Sequence, residues 1–201
     1  MITIDIILGS SRKNALGKNL FNYLQSQKNL YEKSFNVNLK FMAVGDYDLP
    51  FFYESEAPMN NKDRQLPDQQ AQWVTDVKNA DGYIFVTPEY NHSFPAVLKN
   101  ALDYLADQAK DKPALVMSYS DTVRAGQFGG ADLVPILTRL GIYTLPPLFA
   151  IGNVQKNFDV DGKFLEDAPS RDFYETELKQ VVEKIAFYGN LLHSNPFVPS
   201  K

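Results

Sequence analysis

The sequence predicts an α/β fold in which five parallel strands form a doubly wound sheet with helices on both faces, giving three layers. Strand-like apolar runs alternate along the chain with segments whose apolar residues recur at helical spacing. The runs are almost continuously apolar, which is typical of parallel strands that are buried on both faces. The last run contains Pro146-Pro147, and because proline cannot donate to a ladder, this strand belongs at a sheet edge. Edge placement favours the strand order 2-1-3-4-5.

Five segments have the composition of buried strands, since they are short, apolar and rich in β-branched or aromatic residues. In chain order they are residues 2–8, 37 to about 44, 82–87, 114–117 and 143–151. A long polar connection over residues 46–67 separates the second strand from the next helix.

Helical spacing of apolar residues marks the segments between and after the strands. Ser93 can cap the helix that follows the third strand, and Pro95 suits its first turn. Residues 118–130 are expected as a loop, and Pro135 limits how far upstream the next helix begins, or kinks it. The apolar positions that define the predicted helices are Leu16, Leu20, Phe21 and Leu24; Leu66, Trp73, Val74 and Val77; Val97, Leu98, Ala101, Leu102 and Leu105; Leu133, Ile136, Leu137 and Leu140; and Tyr174, Leu178, Val181, Val182 and Ile185.

Composition restricts the class of protein. A chain of 201 residues with 44% apolar residues suits one folded domain, which we place at residues 1–190 with a C-terminal tail at 191–201. The formal charge of −4 gives no footprint for nucleic acid, and no apolar run approaches the roughly 20 residues of a membrane span. Cysteine is absent, which excludes disulfides, thiol catalysis and Cys-ligated metals. The N-terminus lacks a basic segment, so we expect no signal peptide and a cytoplasmic location.

Two loops are expected to face each other across a crevice. In the order 2-1-3-4-5 the crevice lies between the carboxyl ends of strands one and three, so loops 9–17 and 87–92 meet there and loop 118–126 closes a third side. The first loop offers Ser10, Arg12 and helix-start amides, which suit a phosphate group; alone, it is equally consistent with a solvated turn that has a capping serine. Together with a loop stiffened by proline, it suits a mononucleotide with a flat ring.

Three motifs of the chain resemble those of the NAD(P)H-dependent FMN reductase family. They are Gly9-Ser-Ser-Arg-x-x-x-x-Gly17, Thr87-Pro-Glu-Tyr-Asn91 and Ser93-x-Pro-x-x-Leu-Lys-Asn-Ala-Leu-Asp103. The resemblance runs from residue 2 to about residue 190 and implies a flavodoxin-like fold with the activity of a quinone, azo-dye or chromate reductase. The chain departs from the family at residues 120–126, where similar members usually have a short Gly-Gly-rich turn.

The resemblance also implies which residues contact FMN. The phosphate would be held by Ser10, Arg12 and the amides from Asn14 to Gly17, among them those of Leu16 and Gly17. The isoalloxazine and ribityl chain would be lined by Pro88, Glu89, Tyr90 and Asn91. The pyrimidine side of the ring would be approached by Ser118, Tyr119 and Ser120.

The implied reaction needs no metal and no catalytic side chain, because the flavin itself carries the chemistry. NADPH or NADH would reduce the flavin, which would pass two electrons to a quinone or similar flat acceptor. Amides of loop 118–126 and of the helix start after it are expected to donate to the ring edge where charge builds. The alternative is a flavin-binding electron carrier or regulatory module without NAD(P)H turnover of its own. The resemblance further implies a homodimer or homotetramer, with residues 51–53 contributing to the interface.

Other motifs carry weaker signals. Asn157-x-Asp-x-Asp-Gly162 copies the first half of a calcium loop, but Ala168 stands where a bidentate glutamate is needed, so a turn at Asp161-Gly162 is the better prediction. His92 lies beside the expected ring site and is either a substrate contact or an ordinary polar loop residue, and His193 is expected to be inert. A hydrolase is not supported because no Gly-x-Ser-x-Gly elbow is present. A phospho-acceptor receiver domain is not supported either, since the third strand ends in Thr87 rather than Asp.

Overall fold

A parallel sheet forms the centre of the molecule in the computed structural model, which describes residues 1–61, 63–198 and 200. The strand order is β2-β1-β3-β4-β5, and a short sixth strand, β6, also pairs with β4. The predicted fold class and strand order are therefore confirmed. The strands are β1 (Ile2–Leu8), β2 (Val37–Ala43), β3 (Gly82–Pro88), β4 (Pro113–Tyr119), β5 (Tyr143–Thr144) and β6 (Phe149–Ile151).

Helices cover both faces of the sheet. Along β1, Ile4, Ile6 and Leu8 face one core, into which α1 and α7 pack, whereas Ile7 faces a second core under α3, α4 and α5. This follows from the two-residue repeat of a strand. All seven residues of β3 and all seven of β4 are buried, which explains their unbroken apolar runs. The helices are α1 (Gly17–Ser26), α2 (Lys28–Phe35), α3 (Asp68–Asn79), α4 (Ala96–Asp103), α5 (Gln127–Arg139), α6 (Val154–Asn157) and α7 (Arg171–Ser194).

The two helices α2 and α6 were not predicted. In α2 only Tyr31 is buried, so the helix lacks the apolar stripe that makes a helix recognisable in a sequence. Helix α6 has four residues, which is about one turn and too short to show a periodic pattern.

The fifth strand differs from its predicted form. Instead of one strand over residues 143–151, two short strands flank Pro146-Pro147, whose peptide bond is cis. Both short strands pair with β4 in parallel, at the edge of the sheet. The prediction that the prolines place this segment at an edge is confirmed, but the prediction of an unbroken strand was wrong, because the prolines also interrupt the ladder.

The predicted loop over residues 118–130 was too long, because α5 begins at Gln127 and includes Gly129 and Gly130. A Cβ on Gly129 would lie 2.9 Å from the carbonyl oxygen of Pro88 and 3.0 Å from Cα of Glu89. These glycines therefore allow α5 to pack closely against its neighbours, and they do not mark a flexible segment. The helix continues through Pro135.

The ends of two other helices also differ from expectation. Helix α4 begins at Ala96 after Pro95 without a side-chain cap, so the predicted capping role of Ser93 was wrong. The backbone of Ser93 pairs with that of Tyr90 instead. Helix α7 extends to Ser194, so the first residues of the segment predicted as a tail are helical. Within the residues that the structure describes, no helix is both long enough and apolar enough to cross a membrane.

Candidate functional site

A cleft of about 190 Å³ lies where the carboxyl ends of β1 and β3 meet, at the point where the strand order reverses. All three loops that were expected to meet there contribute to its walls. The lining residues are Arg12, Asn14, Ala15, Leu16, Pro88, Glu89, Tyr90, Tyr119, Ser120 and Asp121. Ala15 belongs to the stretch of amides that was predicted to hold a phosphate, whereas Asp121 lies in the predicted third loop but was not named as a site residue.

The first loop is fastened to β3. The N–H of Gly9 donates to the carbonyl oxygen of Val86 at 2.8 Å, which continues the contact between β1 and β3 beyond the end of β1. Ser10 is 2% exposed, and its Oγ lies 3.0 Å from Oη of Tyr90, so the two loops share a hydrogen bond. The guanidinium of Arg12 lies over the Tyr90 ring, 5.6 Å from its centre, which places a cation at the mouth of the cleft.

The start of α1 forms one end of the cleft. Leu16 occupies the N-cap position, no side chain caps the helix, and its first turn contains no acidic residue. Among the hydrogen bonds of the described residues, none uses the N–H of Leu16 or of Gly17. Unpaired amides and the positive end of the helix dipole form a site for an anion, so this end of the cleft suits a phosphate group.

Tyr119, which the resemblance places at the pyrimidine side of a flavin, lies against that same helix start. Its side chain is 3% exposed, and a Cβ on Gly17 would lie 2.3 Å from the phenolic oxygen. The hydroxyl has no hydrogen bond of good geometry, and its polar neighbours are the Ser10 hydroxyl and the N–H of Gly17. Burial raises the pKa of Tyr119, so the hydroxyl stays protonated and can donate.

The loop after β4 is held in a compact turn. Ser118 is buried and its Oγ donates to the carbonyl oxygen of Ala125 at 2.9 Å, so it supports the loop from beneath. Ser120 reaches the cleft, and its Oγ accepts the N–H of Thr122 at 3.1 Å. The turn ends at Gly126, whose φ of 67° lies in the left-handed region that favours glycine.

Glu89 connects the loop after β3 to α5. Its Oε2 accepts the N–H of Phe128 at 3.0 Å and that of Gly129 at 3.4 Å. These helix-start amides were expected to donate to a ligand, and that prediction was wrong because the Glu89 carboxylate already occupies them. The side chain of Glu89 therefore both lines the cleft and caps α5.

The turn after Tyr90 is tight. The N–H of Tyr90 donates to the carbonyl oxygen of Ser93 at 2.7 Å, and Asn91 and His92 have φ values of 51° and 64°. Asn91 is exposed and does not belong to the described lining of the cleft. The ring of His92 packs 5.0 Å from that of Phe128, at the outer rim of the site.

The predicted site residues thus fall into two groups. Those that line the cleft are Arg12, Asn14, Leu16, Pro88, Glu89, Tyr90, Tyr119 and Ser120. The others lie beneath or beside it: Ser10, Gly17, Asn91 and Ser118. Far from the cleft, the predicted turn at Asp161-Gly162 is present, with Oδ1 of Asp159 accepting the N–H groups of Asp161 and Lys163.

The predicted family was tested by comparison with known proteins. The model of the family described as NADPH-dependent FMN reductase matches residues 2–156 of the 201-residue chain. The chain belongs to this family. The family description names NADPH and FMN, so the predicted reductase class and its cofactors are confirmed at the level of the family.

Individual proteins to which the chain is similar also have the names of reductases. An NAD(P)H-dependent FMN reductase of Schizosaccharomyces pombe is 31% identical over 129 residues, which cover 64% of this chain and 60% of that protein. A quinone reductase of Pseudomonas putida is 29% identical over 200 residues, covering 94% of this chain and 95% of its own length. Both are reductases by name, and the second aligns over almost the whole of both chains.

Solved structures show the same fold. The flavoenzyme FerB of Paracoccus denitrificans, an NAD(P)H:(acceptor) oxidoreductase, superposes with a TM-score of 0.74 over 95% of this chain and 98% of its own, at 22% identity. An archaeal flavodoxin superposes with a TM-score of 0.57 at 11% identity. The predicted flavodoxin-like fold is therefore confirmed.

Proposed function

We propose that the cleft between β1 and β3 holds FMN and that the chain passes two electrons from NADPH or NADH to a quinone or similar small flat acceptor. The observation that carries this proposal is the pairing of an uncapped α1 start, beside Arg12, with the rigid wall of Pro88, Glu89 and Tyr90 across the cleft. The start of α1 suits a phosphate, and the wall formed by the loop after β3 suits the remainder of a mononucleotide.

The residues present fit FMN at the phosphate end. The amide of Leu16, the guanidinium of Arg12 and the hydroxyl of Tyr119 offer donors, and the first turn of α1 contains no carboxylate to repel an anion. A terminal phosphate carries only acceptors at neutral pH, so this donor set is matched to it.

FMN, when bound, would accept hydride from the nicotinamide and release electrons to the acceptor. The chain contributes binding and orientation. Pro88 limits the backbone of the loop after β3, and Glu89 ties that loop to α5 through its hydrogen bonds to Phe128 and Gly129. Two walls fixed in this way would keep a flat ring in one plane, which is the condition for stacking a nicotinamide or a quinone against it.

The test uses flavin-stripped full-length protein to which FMN is returned. We expect FMN to bind and NADPH or NADH to be oxidised when a quinone is added, with turnover that is lost when FMN is omitted. If the loaded protein does not oxidise either dinucleotide with a quinone present, the reductase proposal is wrong. Stopped-flow mixing of the FMN form with NADPH separates a reductase from an electron carrier, since a carrier would be reduced slowly and would accumulate a one-electron-reduced flavin.

We also propose that residues 51–53 contribute to a homodimer. Phe51 and Tyr53 are 80% and 78% exposed, whereas Phe52 turns inward against Tyr104 at a ring distance of 5.5 Å. Two exposed aromatics that lie two positions apart suit a protein–protein contact. Light scattering after size-exclusion chromatography tests this, and a monomer would contradict it. A homotetramer and a cytoplasmic location stay predictions from the sequence.

A further inference from the structure

Tyr119 carries a buried hydroxyl without a hydrogen-bond partner. Among the described residues, the side chains with buried polar atoms in this condition are Asp5, Tyr119 and Thr144, and of these Tyr119 lines the cleft. Burying a hydroxyl without a partner is unfavourable, and a protein that retains such a group usually satisfies it with a water, an ion or a ligand. The position of this hydroxyl identifies what satisfies it.

The hydroxyl lies at the start of α1. An added Cβ on Gly17 would lie 2.3 Å from the phenolic oxygen and 2.3 Å from Cζ, so only glycine at position 17 allows the ring to reach this place. Glycine is a poor helix residue, so its presence in the first turn is explained by the tyrosine. The Ser10 hydroxyl faces the same point, and its Oγ lies 3.0 Å from Oη of Tyr90.

The surroundings favour an anionic acceptor. The N–H of Gly17 faces the phenolic oxygen, α1 has no side-chain cap and no acid in its first turn, and Arg12 lies at the mouth of the same cleft. These groups attract negative charge, and a phosphate oxygen among them can accept from amides and from a hydroxyl together. The flat part of a flavin offers no such anion in its oxidised form.

We propose that the Tyr119 hydroxyl donates a hydrogen bond to the terminal phosphate of FMN and so makes the site select FMN over riboflavin. This inference rests on the proposed function, because it requires that FMN occupies the cleft. It assigns Tyr119 to the phosphate end of the cofactor, and not to the pyrimidine side at which the family resemblance implied a contact.

The experiment compares two variants of the full-length, flavin-stripped chain. Tyr119→Phe removes the hydroxyl and keeps the ring, and Tyr31→Phe is the matched control, since Tyr31 is buried in the same core cluster but is not among the described lining residues. Flavin fluorescence gives the Kd of each protein for FMN and for riboflavin. Tyr119→Phe should raise the Kd for FMN by about tenfold or more, as expected when a hydrogen bond to a charged group is lost, and leave the Kd for riboflavin within about twofold. Tyr31→Phe should change neither.

Other outcomes overturn the inference. Unchanged FMN affinity in Tyr119→Phe, or an equal loss for both flavins, would mean that the ring acts only through packing. A crystal structure of the wild-type protein with FMN gives an independent test that does not depend on folding of the variant. It should place Oη of Tyr119 within hydrogen-bond distance of a phosphate oxygen, and a phosphate bound elsewhere contradicts the inference. If the wild-type protein binds no FMN at all, the proposed function itself fails, which is a separate result.

Discussion

The Glu89 carboxylate accepts the backbone N–H of Phe128 at 3.0 Å, so one side chain both lines the cleft and caps α5. We expect Glu89→Ala to lower the free energy of unfolding by about 1 kcal/mol, because two helix-start amides lose their acceptor. Urea denaturation measures this change. Glu183→Ala, at an exposed position of α7, is the control and should stay within about 0.5 kcal/mol of wild type. A cost no larger than that of the control would show that the cap contributes nothing.

Asp5 should make the protein less stable as the pH rises toward neutrality. It is 0% exposed in the middle of β1, and neither carboxylate oxygen has a hydrogen-bond partner. Burial, opposed by the charge of Lys40 and reinforced by that of Asp76, raises the pKa of Asp5 from 3.8 to about 7. At a pH between these two pKa values, the folded protein therefore still binds a proton at Asp5 that the unfolded chain has released.

The sign of the pH effect follows directly. Between about pH 4 and pH 7 the folded state binds more protons than the unfolded state, so the free energy of unfolding falls as pH rises, by at most about 1.4 kcal/mol per pH unit from this group. Asp5→Asn should flatten this dependence, whereas Asp167→Asn, at an exposed loop position, should preserve it. Urea denaturation at pH 5, 6, 7 and 8 tests the prediction, which is contradicted if Asp5→Asn retains the wild-type slope.

Arg12 should contribute charge to cofactor binding. Its guanidinium lies at the mouth of the cleft over the Tyr90 ring. We expect Arg12→Gln to raise the Kd for FMN by about tenfold, an effect that shrinks as salt is added. Lys13→Gln, which removes the neighbouring positive charge in the same loop, serves as the control and should have a smaller effect. Equal effects of the two substitutions would indicate that only the net charge of the loop matters.

Gly17 and Tyr119 should be energetically coupled. Gly17→Ala forces a methyl group into the Tyr119 ring, so we expect it to lower the free energy of unfolding by about 1–3 kcal/mol. In a Tyr119→Ala background the ring is gone, and the same substitution should cost little or even stabilise the helix. A double-mutant cycle in urea measures the coupling, and additive effects would argue against the contact.

Most of the fold was predictable from the chain because its strands are buried on both faces. Nearly continuous apolar runs, such as the one ending at Leu8 that only Thr3 and Asp5 break, leave few alternatives to a parallel sheet, and Pro146-Pro147 identified the edge. What could not be predicted depended on tertiary packing. Helix α2 buries only Tyr31. Gly129 and Gly130, which were predicted to lie in a loop, belong to α5, where Gly129 faces the backbone of Pro88 and Glu89 and Gly130 faces Ser118.

The location of the cleft was also predictable, since strand order and loop position determine it. The directions of individual side chains were not. Two residues next to each other in the chain, Ser118 and Tyr119, point to opposite faces of β4, so one supports the loop and the other reaches α1. The acceptor of the Phe128 N–H could not be predicted either, because this acceptor is the carboxylate of Glu89, which is 39 positions away in the sequence.

The close approach of Gly129 to the Pro88 carbonyl has a dynamic consequence. With 2.9 Å between that oxygen and the place where a Cβ would stand, the helix start and the loop after β3 cannot slide past each other independently. They must fluctuate as one body. The loop after β4 is tied to the rest of the fold as well, because the N–H groups of Asn153 and Val154 donate to the carbonyl oxygens of Thr122 and Ser120, so residues 120–122 move only together with the segment after β6.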